Sequence, residues 1–448
     1  MNFKNKTVLS TFIVMAGFAS GQIIRFGGNL ITTRFLAPDL FGVMAIANAV
    51  VYIVLLFSDM GFGLSIIRSE RGEEPRFLKT VFSFKVLQGI ALSVFVYVAA
   101  LCIWGADQFS LFPPESTFGN KDLPLALIIV ALCPIIGGFK SIQMDLHIRH
   151  QKIGRQTIIE LTSQILALLF IIGYAQFSSS IFTLAFSNVV AAACTMILSY
   201  VLFDRSIFGF AWDKETIKEV LFFGKWIQAS SAIVGLLNHV DKIFFGYLMT
   251  TTQMGIYSIA SLMFAAMGNI FNRMNVTLLP AISKVVREKP QNLSKVYYKI
   301  KFYRDLIIAI PASIIIANGD IVVSLIYDER YHQAGYFLQI MSIAHLIECL
   351  LFKEQVITAL GASKVHFQMS LWRFAGVIIL IPLCYHFFGT TGIILAFSCR
   401  RLFGSWILYR IFIDRGILNW FKELRVFAVI AFGLGIGYLI RMLLTSII

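Results

Sequence analysis

Charged residues are scarce in this chain, and their scarcity excludes a large class of proteins. Only 14% of the 448 residues are Asp, Glu, Lys or Arg, 58% are hydrophobic, and the mean hydropathy is +0.79. A water-soluble domain needs a polar surface that this composition cannot supply. The sequence therefore predicts a membrane protein with many spanning segments.

Cysteine pairs, metal-ligand patterns and catalytic motifs are also missing. The six cysteines are scattered through apolar segments, without a CxxC pair or a histidine at metal-ligand spacing, so neither a disulfide framework nor a zinc site is expected. No GxxxxGK[ST] loop, HExxH pair or nucleophile elbow occurs. We therefore expect a protein that is not an enzyme and uses no cofactor and no metal.

Apolar segments make up most of the sequence. A bilayer-spanning helix needs about 20 apolar residues, and thirteen segments are long enough. Their continuous apolar character favours helices over the short alternating strands of a membrane barrel. They run approximately 8–33, 41–61, 79–104, 122–143, 156–176, 179–203, 218–249, 253–280, 302–318, 334–360, 366–388, 390–413 and 425–448.

The net charge of +14 follows the order of the loops. Basic residues concentrate around 4–6, 68–79, 140–155, 205–218, 284–304, 364 and 415–425, while the alternate loops hold chiefly Arg34, Lys121 and Arg330. Because loops rich in Lys and Arg stay on the cytoplasmic side, the N-terminus is predicted to be cytoplasmic. The charge thus reflects topology and attraction to anionic membrane lipids, and no nucleic acid partner is expected.

An internal repeat divides the chain. At an offset of 213 positions, FLAPDLFGVMAIA (35–47) aligns with LMTTTQMGIYSIA (248–260), so that Gly42 matches Gly255. The offset places the seventh segment on the first, and six intervening spans keep both halves in the same orientation. This predicts an all-α polytopic protein of two six-helix bundles in a parallel, pseudo-two-fold repeat. The expected domains are 1–210, 211–415 and one additional transmembrane helix, 416–448.

Two of the equivalent segments carry polar residues at helical spacing. These candidates for the lining of a water-filled cavity are Gln22, Arg25 and Asn29 in the first segment and Gln228, Asn238 and Lys242 in the seventh. Arg25 and Lys242 would suit an anionic ligand such as a pyrophosphate. The alternative is that both extend to the external headgroups, with Asp241 as a further partner for Lys242.

Asp59, Asn272 and Arg273 form a second set of polar residues within apolar segments, where charged groups are costly. Asp59 and Asn272 are equivalent in the repeat. Asp59 could pair with Arg273, or the two could bind a coupling cation and the substrate respectively. Alternatively, Asp59 meets Arg68 near the inner interface.

His345 and Glu348 lie one helical turn apart in the tenth segment. A partly buried carboxylate beside a histidine could carry a proton, which makes both residues candidates for ion or proton coupling. The structural alternative is an ion pair of Glu348 with Lys353 or Arg373.

Three stretches of the sequence resemble those of a known family. TTRFLAPDLFGVMAIANAVVYIVLLFSDMGFGLSIIR (32–68), NHVDKIFFGYLMTTTQMGIYSIASLM (238–263) and NRMNVTLLPAISKV (272–285) resemble the polysaccharide-transporter branch of the MOP superfamily, the Wzx-like oligosaccharide flippases. The resemblance implies a V-shaped central cavity between two six-helix bundles, and alternating access. It also implies that Arg25 and Arg273 are cationic cavity residues for a diphosphate; Lys242 is added from its polar stripe. Thirteen spans depart from the usual twelve or fourteen.

The function that the resemblance implies is flipping of undecaprenyl-diphosphate-linked oligosaccharide repeat units across a bacterial inner membrane. The product would be capsule, exopolysaccharide or O-antigen, and a polymerase and chain-length proteins of the same pathway are candidate partners. The alternatives are an ion-coupled drug or metabolite antiporter of the same superfamily and, more distantly, a polysaccharide polymerase or ligase. The first should have an acidic cavity and the second a large external loop.

Overall fold

Helices form nearly all of the ordered structure. The computed structural model describes residues 3–56, 62–150, 154–203 and 209–446. Within these ranges there are no strands, and one isolated bridge joins Ser116 to Thr250. Helices α1 to α10 are Phe3–Phe35, Pro38–Leu56, Phe62–Arg68, Pro75–Gln108, Asp122–Val130, Leu132–Gly138, Gln143–Arg149, Gly154–Ala175, Ile181–Val201 and Lys214–Leu248. Helices α11 to α17 are Thr251–Glu288, Leu293–Ile326, Gln333–Leu350, Lys353–Ala359, Ser363–Cys399, Ser405–Asp414 and Trp420–Thr445.

The predicted all-α membrane class is confirmed. Each of the thirteen predicted segments overlaps a helix. In the described part of the chain, 8 helices are long and apolar enough to cross a membrane, or up to 10 if each of two bent pairs is one span. One of these candidates, Lys364–Asp414, has 51 residues, and Gly389 interrupts it with φ 58° and ψ −142°. The exact count of thirteen spans stays a prediction.

The chain forms two compact units, Met1–Gly255 and Ile256–Ile448. Similar elements follow one another in each. Helices α4 and α12 both have 34 residues, and a bent pair follows each of them. The bend is 59° between Asp122–Gly138 and Gln143–Arg149, and 51° between Glu329–Leu350 and Lys353–Ala359. This order is what a duplication predicts, whereas the predicted boundaries after residues 210 and 415 stay predictions.

A close crossing of α2 with the start of α11 lies within the first unit. A Cβ added to Gly42 would come 2.1 Å from the Thr251 carbonyl oxygen, and one added to Gly255 would come 1.7 Å from that of Pro38. Under the offset of 213, Gly42 is equivalent to Gly255 and Pro38 to Thr251. The two contacts are therefore reciprocal under this offset, and only glycine allows the backbones this close.

Small residues also set the packing of α17 in the second unit. A Cβ on Gly433 would meet the Ser313 side chain at 2.9 Å, and one on Gly437 would meet Ala317 at 2.8 Å. The Asn318 amide donates a hydrogen bond to the Gly437 carbonyl at 2.9 Å. Without a strong hydrophobic drive between helices in lipid, such close packing and interhelical hydrogen bonds favour association. The helix predicted to be additional to the repeat is thereby fixed along α12.

Candidate functional site

The polar stripe of the first predicted segment lies on α1. Arg25 is exposed, and Gln22 and Asn29 are half-buried. The neighbouring face of α1 carries Gly21 and Gly28, where an added Cβ would contact leucine side chains of α8 at 3.4–3.6 Å. The stripe therefore lies beside the α8 contact, and Arg25 is exposed on a largely apolar helix.

Lys242, on α10 in the same unit, is half-buried beside the buried Asp241. One turn earlier, the His239 ring packs on Tyr52 of α2 with 4.1 Å between ring centroids. This contact packs the face of α10 that carries His239 against α2. Asp59 and the side chains of Gln228 and Asn238 lie outside the described residues, so their predicted roles stay predictions.

Asn272 and Arg273 belong to α11 in the second unit, and both side chains are exposed. Asn275, on the buried side of the same helix, is only 7% exposed. Its amide nitrogen donates to Glu348 Oε1 at 3.0 Å, and its amide oxygen accepts from Arg304 Nε at 2.9 Å. The helix thus divides into an accessible cationic face and a face bound to buried charges.

The ion-pair partners expected for Glu348 are wrong. Arg304 Nη2 lies 3.2 Å from Glu348 Oε1, and Arg401 Nη1 lies 3.5 Å from Oε2. The chain bends by 51° between α13 and α14, and the predicted partner Lys353 lies beyond this bend. It pairs instead with Glu423 of α17 at 2.8 Å.

Arg373, the other expected partner, pairs with Glu354. Arg401, 3.5 Å from Glu354, joins the Glu354 and Glu348 pairs into one network. Arg373 lies on α15 and Glu354 on α14. The network therefore ties together helices that sequence spacing alone does not bring into contact.

His345 is packed among aromatic rings. Its ring stacks on Phe264 at 4.2 Å and meets Phe271 edge-on at 5.0 Å. Its Nε2 lies 3.3 Å from the Phe264 carbonyl oxygen. With a residue exposure of 2%, His345 is a core side chain of the second unit.

Three charged residues of α12 were missed as site residues. The charge pattern predicts Lys301 and Arg304 in a basic cytoplasmic stretch, and Asp305 was not predicted as a site residue, yet all three are at most 3% exposed. Lys301 Nζ binds the Asp305 carboxylate and donates to the Cys349 carbonyl at 3.0 Å. Basic charge near a loop is normally interfacial, but a carboxylate within reach makes burial tolerable. The i,i+4 spacing of Lys301 and Asp305 is the signal that could have revealed it.

A polar cavity lies inside the first unit. It consists of two adjoining spaces of about 470 and 420 Å³ that share Lys85 and Lys140. Lys85 Nζ lies 2.8 Å from Asp145 Oδ2, and both side chains are about one-fifth exposed. Helices α4 and α6 close one side, because a Cβ on Gly89 would come 2.5 Å from the Pro134 carbonyl oxygen.

These features define a multi-pass membrane protein, and comparison with solved structures identifies its fold. The lipid II flippase MurJ, in an inward closed conformation, aligns with a TM-score of 0.71 at 12% identity, over 97% of this chain and 92% of the flippase. A multidrug resistance MATE family transporter of the MOP superfamily, in an inward-facing conformation, aligns with a TM-score of 0.65 at 11% identity, over 91% and 95%. The chain therefore shares the fold of these two transporters.

Sequence comparison identifies the family. The chain belongs to the polysaccharide biosynthesis protein family, whose pattern matches residues 31–336. A Shigella flexneri protein described as a candidate O-antigen transporter is 22% identical over 407 residues, which cover 88% of this chain and 94% of that protein. The expected membership in the polysaccharide-transporter branch of the MOP superfamily is confirmed.

Proposed function

We propose that this protein is a flippase for undecaprenyl-diphosphate-linked oligosaccharide repeat units. It moves them from the cytoplasmic to the outer leaflet of a bacterial inner membrane, for capsule, exopolysaccharide or O-antigen assembly. The observation that carries the proposal is the family match over residues 31–336. The O-antigen relative and the MurJ-like fold support it.

The chemistry of such a cargo suits a wet, cationic pathway in a membrane. The hydroxyls of a sugar chain cannot lose water to hydrocarbon without compensating hydrogen bonds, whereas a polyprenyl tail can stay in lipid. The diphosphate needs cationic partners. We assign this role to Arg25, Arg273 and Lys242; the first two are exposed on largely apolar helices, where an arginine without a function is disfavoured.

For Glu348 and His345 we propose a structural role rather than a role in ion or proton coupling. Glu348 is held by Arg304 and Arg401, and His345 is enclosed by Phe264 and Phe271. Both oxygens of the Glu348 carboxylate are thus occupied by contacts that hold helices together. Asp59 remains a predicted coupling residue.

A vesicle assay tests the proposal directly. The full chain is reconstituted into liposomes that contain lipid-linked oligosaccharide extracted from the source cells. A membrane-impermeant glycosidase is then added outside the liposomes, where it digests the oligosaccharide of the outer leaflet. With an active flippase, the enzyme should digest the inner-leaflet pool as well. Digestion that stops at the outer-leaflet pool, as in protein-free liposomes, would overturn the proposal. Transport of an organic cation by the same vesicles would instead support the antiporter.

A further inference from the structure

We propose that the polar cavity of the first unit is a saccharide subsite that binds one sugar residue of the cargo through its hydroxyl groups. The proposal rests on the proposed function, since it takes the sugar from the lipid-linked cargo. The cavity lies between α2, α3, α4, α6, α7, α8 and α9. Its volumes of about 470 and 420 Å³ fall in the range of small-ligand sites, roughly 300–1,000 Å³.

The balance of charge around the cavity favours a neutral ligand. Lys85 and Lys140 line it together with Asp145 and Glu160. Lys85 is already paired with Asp145, and Glu160 Oε1 accepts a hydrogen bond from the Gln156 amide at 2.9 Å. Two cations therefore face two carboxylates. A bound metal cation would be repelled by the ammonium groups, and a phosphate would be repelled by the carboxylates.

Unpartnered acceptors on one face of α8 indicate which groups the ligand presents. Within the described ranges, no hydrogen-bond partner reaches Ser163 Oγ, Gln156 Oε1 or Gln164 Oε1, although all three atoms are buried. Ser163 is only 3% exposed, and all three residues line the cavity. Buried polar atoms are nearly always hydrogen-bonded, so these three atoms can accept hydrogen bonds from a ligand. Sugar hydroxyls both donate and accept, which satisfies the amide oxygens and the ammonium groups together.

The remaining wall is apolar, as a sugar ring requires. Leu55, Phe62, Leu92 and Pro134 are among the residues that line the larger space. The C–H groups of a pyranose ring can pack on such a surface while its hydroxyls reach the polar side chains. A metal ion or a phosphate would gain nothing from this wall.

The equivalent elements of the second unit contain buried charge pairs. There α12, α13 and α14 hold Lys301 with Asp305 and Arg304 with Glu348, and α17 adds Glu423 to Lys353. These cations are satisfied within the protein. In the first unit the corresponding elements enclose a lined cavity with buried acceptors unpaired. The proposal concerns the copy in the first unit, whose unpaired acceptors line a cavity.

Cys133 provides a reporter, because it is half-buried and lines the cavity beside Lys140. In a chain that keeps Cys133 and has its other five cysteines changed to Ala, a small neutral methanethiosulfonate should label it. The probes are glucose, galactose and N-acetylglucosamine, with sodium chloride and sodium phosphate as comparisons. A saccharide that occupies the cavity should slow labelling, about twofold at half-saturation. The salts should leave the rate unchanged.

Gln164→Leu and Gln156→Leu should abolish the saccharide effect while leaving the labelling rate without saccharide unchanged. Thr162→Val on the same helix changes a residue outside the cavity lining, and should retain the effect. The proposal is overturned if no saccharide slows labelling, or if the salts slow it equally. It is also overturned if both Gln variants flip the cargo at the wild-type rate in vesicles. Failure of the wild-type chain in the vesicle assay, by contrast, would contradict the proposed function itself.

Discussion

At the scale of single residues, the buried pair of Lys353 and Glu423 has a measurable consequence. Lys353 is fully buried, and Glu423 also accepts a hydrogen bond from the Tyr298 hydroxyl at 3.0 Å. Breaking a buried pair leaves one charge uncompensated. We therefore expect Lys353→Met to lower the free energy of unfolding by about 3–5 kcal/mol, measured by thermal unfolding in detergent.

The double variant Lys353→Met/Glu423→Leu separates charge from packing. Replacing both charges by apolar groups of similar size removes the desolvation cost and should recover most of the lost stability. Lys289→Met, at an exposed lysine, is the control and should be neutral. A double variant as unstable as the single one would contradict this interpretation.

The proposed role of Arg25 and Arg273 in binding the diphosphate of the cargo can be tested by substitution. Arg25→Ala and Arg273→Ala should strongly reduce surface polysaccharide at matched protein level, because each removes a cation for the diphosphate. Lys at either position should restore part of the output. Arg287→Ala, at another exposed arginine of α11, should leave output unchanged. Normal output from both Ala variants would eliminate the assigned roles.

At the scale of elements, the crossing of α2 and α11 depends on glycine. At Gly255 an added methyl would overlap the Pro38 carbonyl oxygen, so the helices must separate. We expect Gly255→Ala to cost about 1–3 kcal/mol, as overpacking does, with a lower melting temperature. At Gly435 on α17 nothing lies within 4 Å of an added Cβ. Gly435→Ala should therefore be neutral or slightly stabilising; equal losses at both positions would exclude the crossing as the cause.

The contacts of Asp213 at the start of α10 predict that acid lowers the stability of the folded chain. Asp213 caps this helix: its carboxylate accepts hydrogen bonds from the Thr216 hydroxyl and backbone N–H, and lies 3.2 Å from Arg71 Nη2. The Thr216 hydrogen bonds, followed by Arg71, lower the pKa of Asp213 below its usual 3.8. A carboxylate whose pKa is lowered in the folded state stabilises that state at pH values above its pKa in the unfolded chain. This contribution is lost as the pH falls through the lowered pKa.

Asp213→Asn retains a capping side chain but removes the titration. Between neutral pH and acid, its melting temperature should fall less than that of the wild type. The measurement is the difference between the two proteins at each pH, since other carboxylates titrate equally in both. Identical acid losses would show that the Asp213 contacts do not stabilise the folded chain.

At the scale of the whole molecule, the charge pattern predicts a topology. The loops at 69–74 and 415–419 should face the cytoplasm, and the loop at 109–121 the outside. A reporter enzyme that is active only outside the cytoplasm should work when inserted at 109–121 and fail at the other two positions. The opposite pattern would reverse the predicted orientation and the proposed direction of transport.

Much of the fold was predictable from the sequence because lipid imposes simple local rules. Hydrogen bonds within each helix satisfy the backbone in hydrocarbon, so continuous apolar runs predicted the helices, including the pair on either side of Gly389. The repeat predicted the equivalence of Gly42 and Gly255, which the reciprocal contacts display. The family resemblance rested on three short sequence segments, and the family match over residues 31–336 confirmed it.

The partners of buried charges were not predictable in this way. Sequence spacing finds neighbours on one helix, but Glu348 meets Arg304 and Arg401 from other elements. Lys301 and Arg304 look interfacial in sequence because their acidic partners are visible only after α12 and α13 pack. The polar cavity was missed for the same reason, since its lining comes from seven helices.

By itself, the sequence determined the membrane class, the helical segments and the family, because hydrophobicity and local periodicity act along the chain. Only the tertiary structure decided which charges are neutralised inside the protein and which remain accessible. Lys353 is fully buried against Glu423, while Arg25 and Arg273 remain exposed. The physical reason is that the free energy of a charge in a membrane protein depends on its neighbours in space, which packing alone brings together.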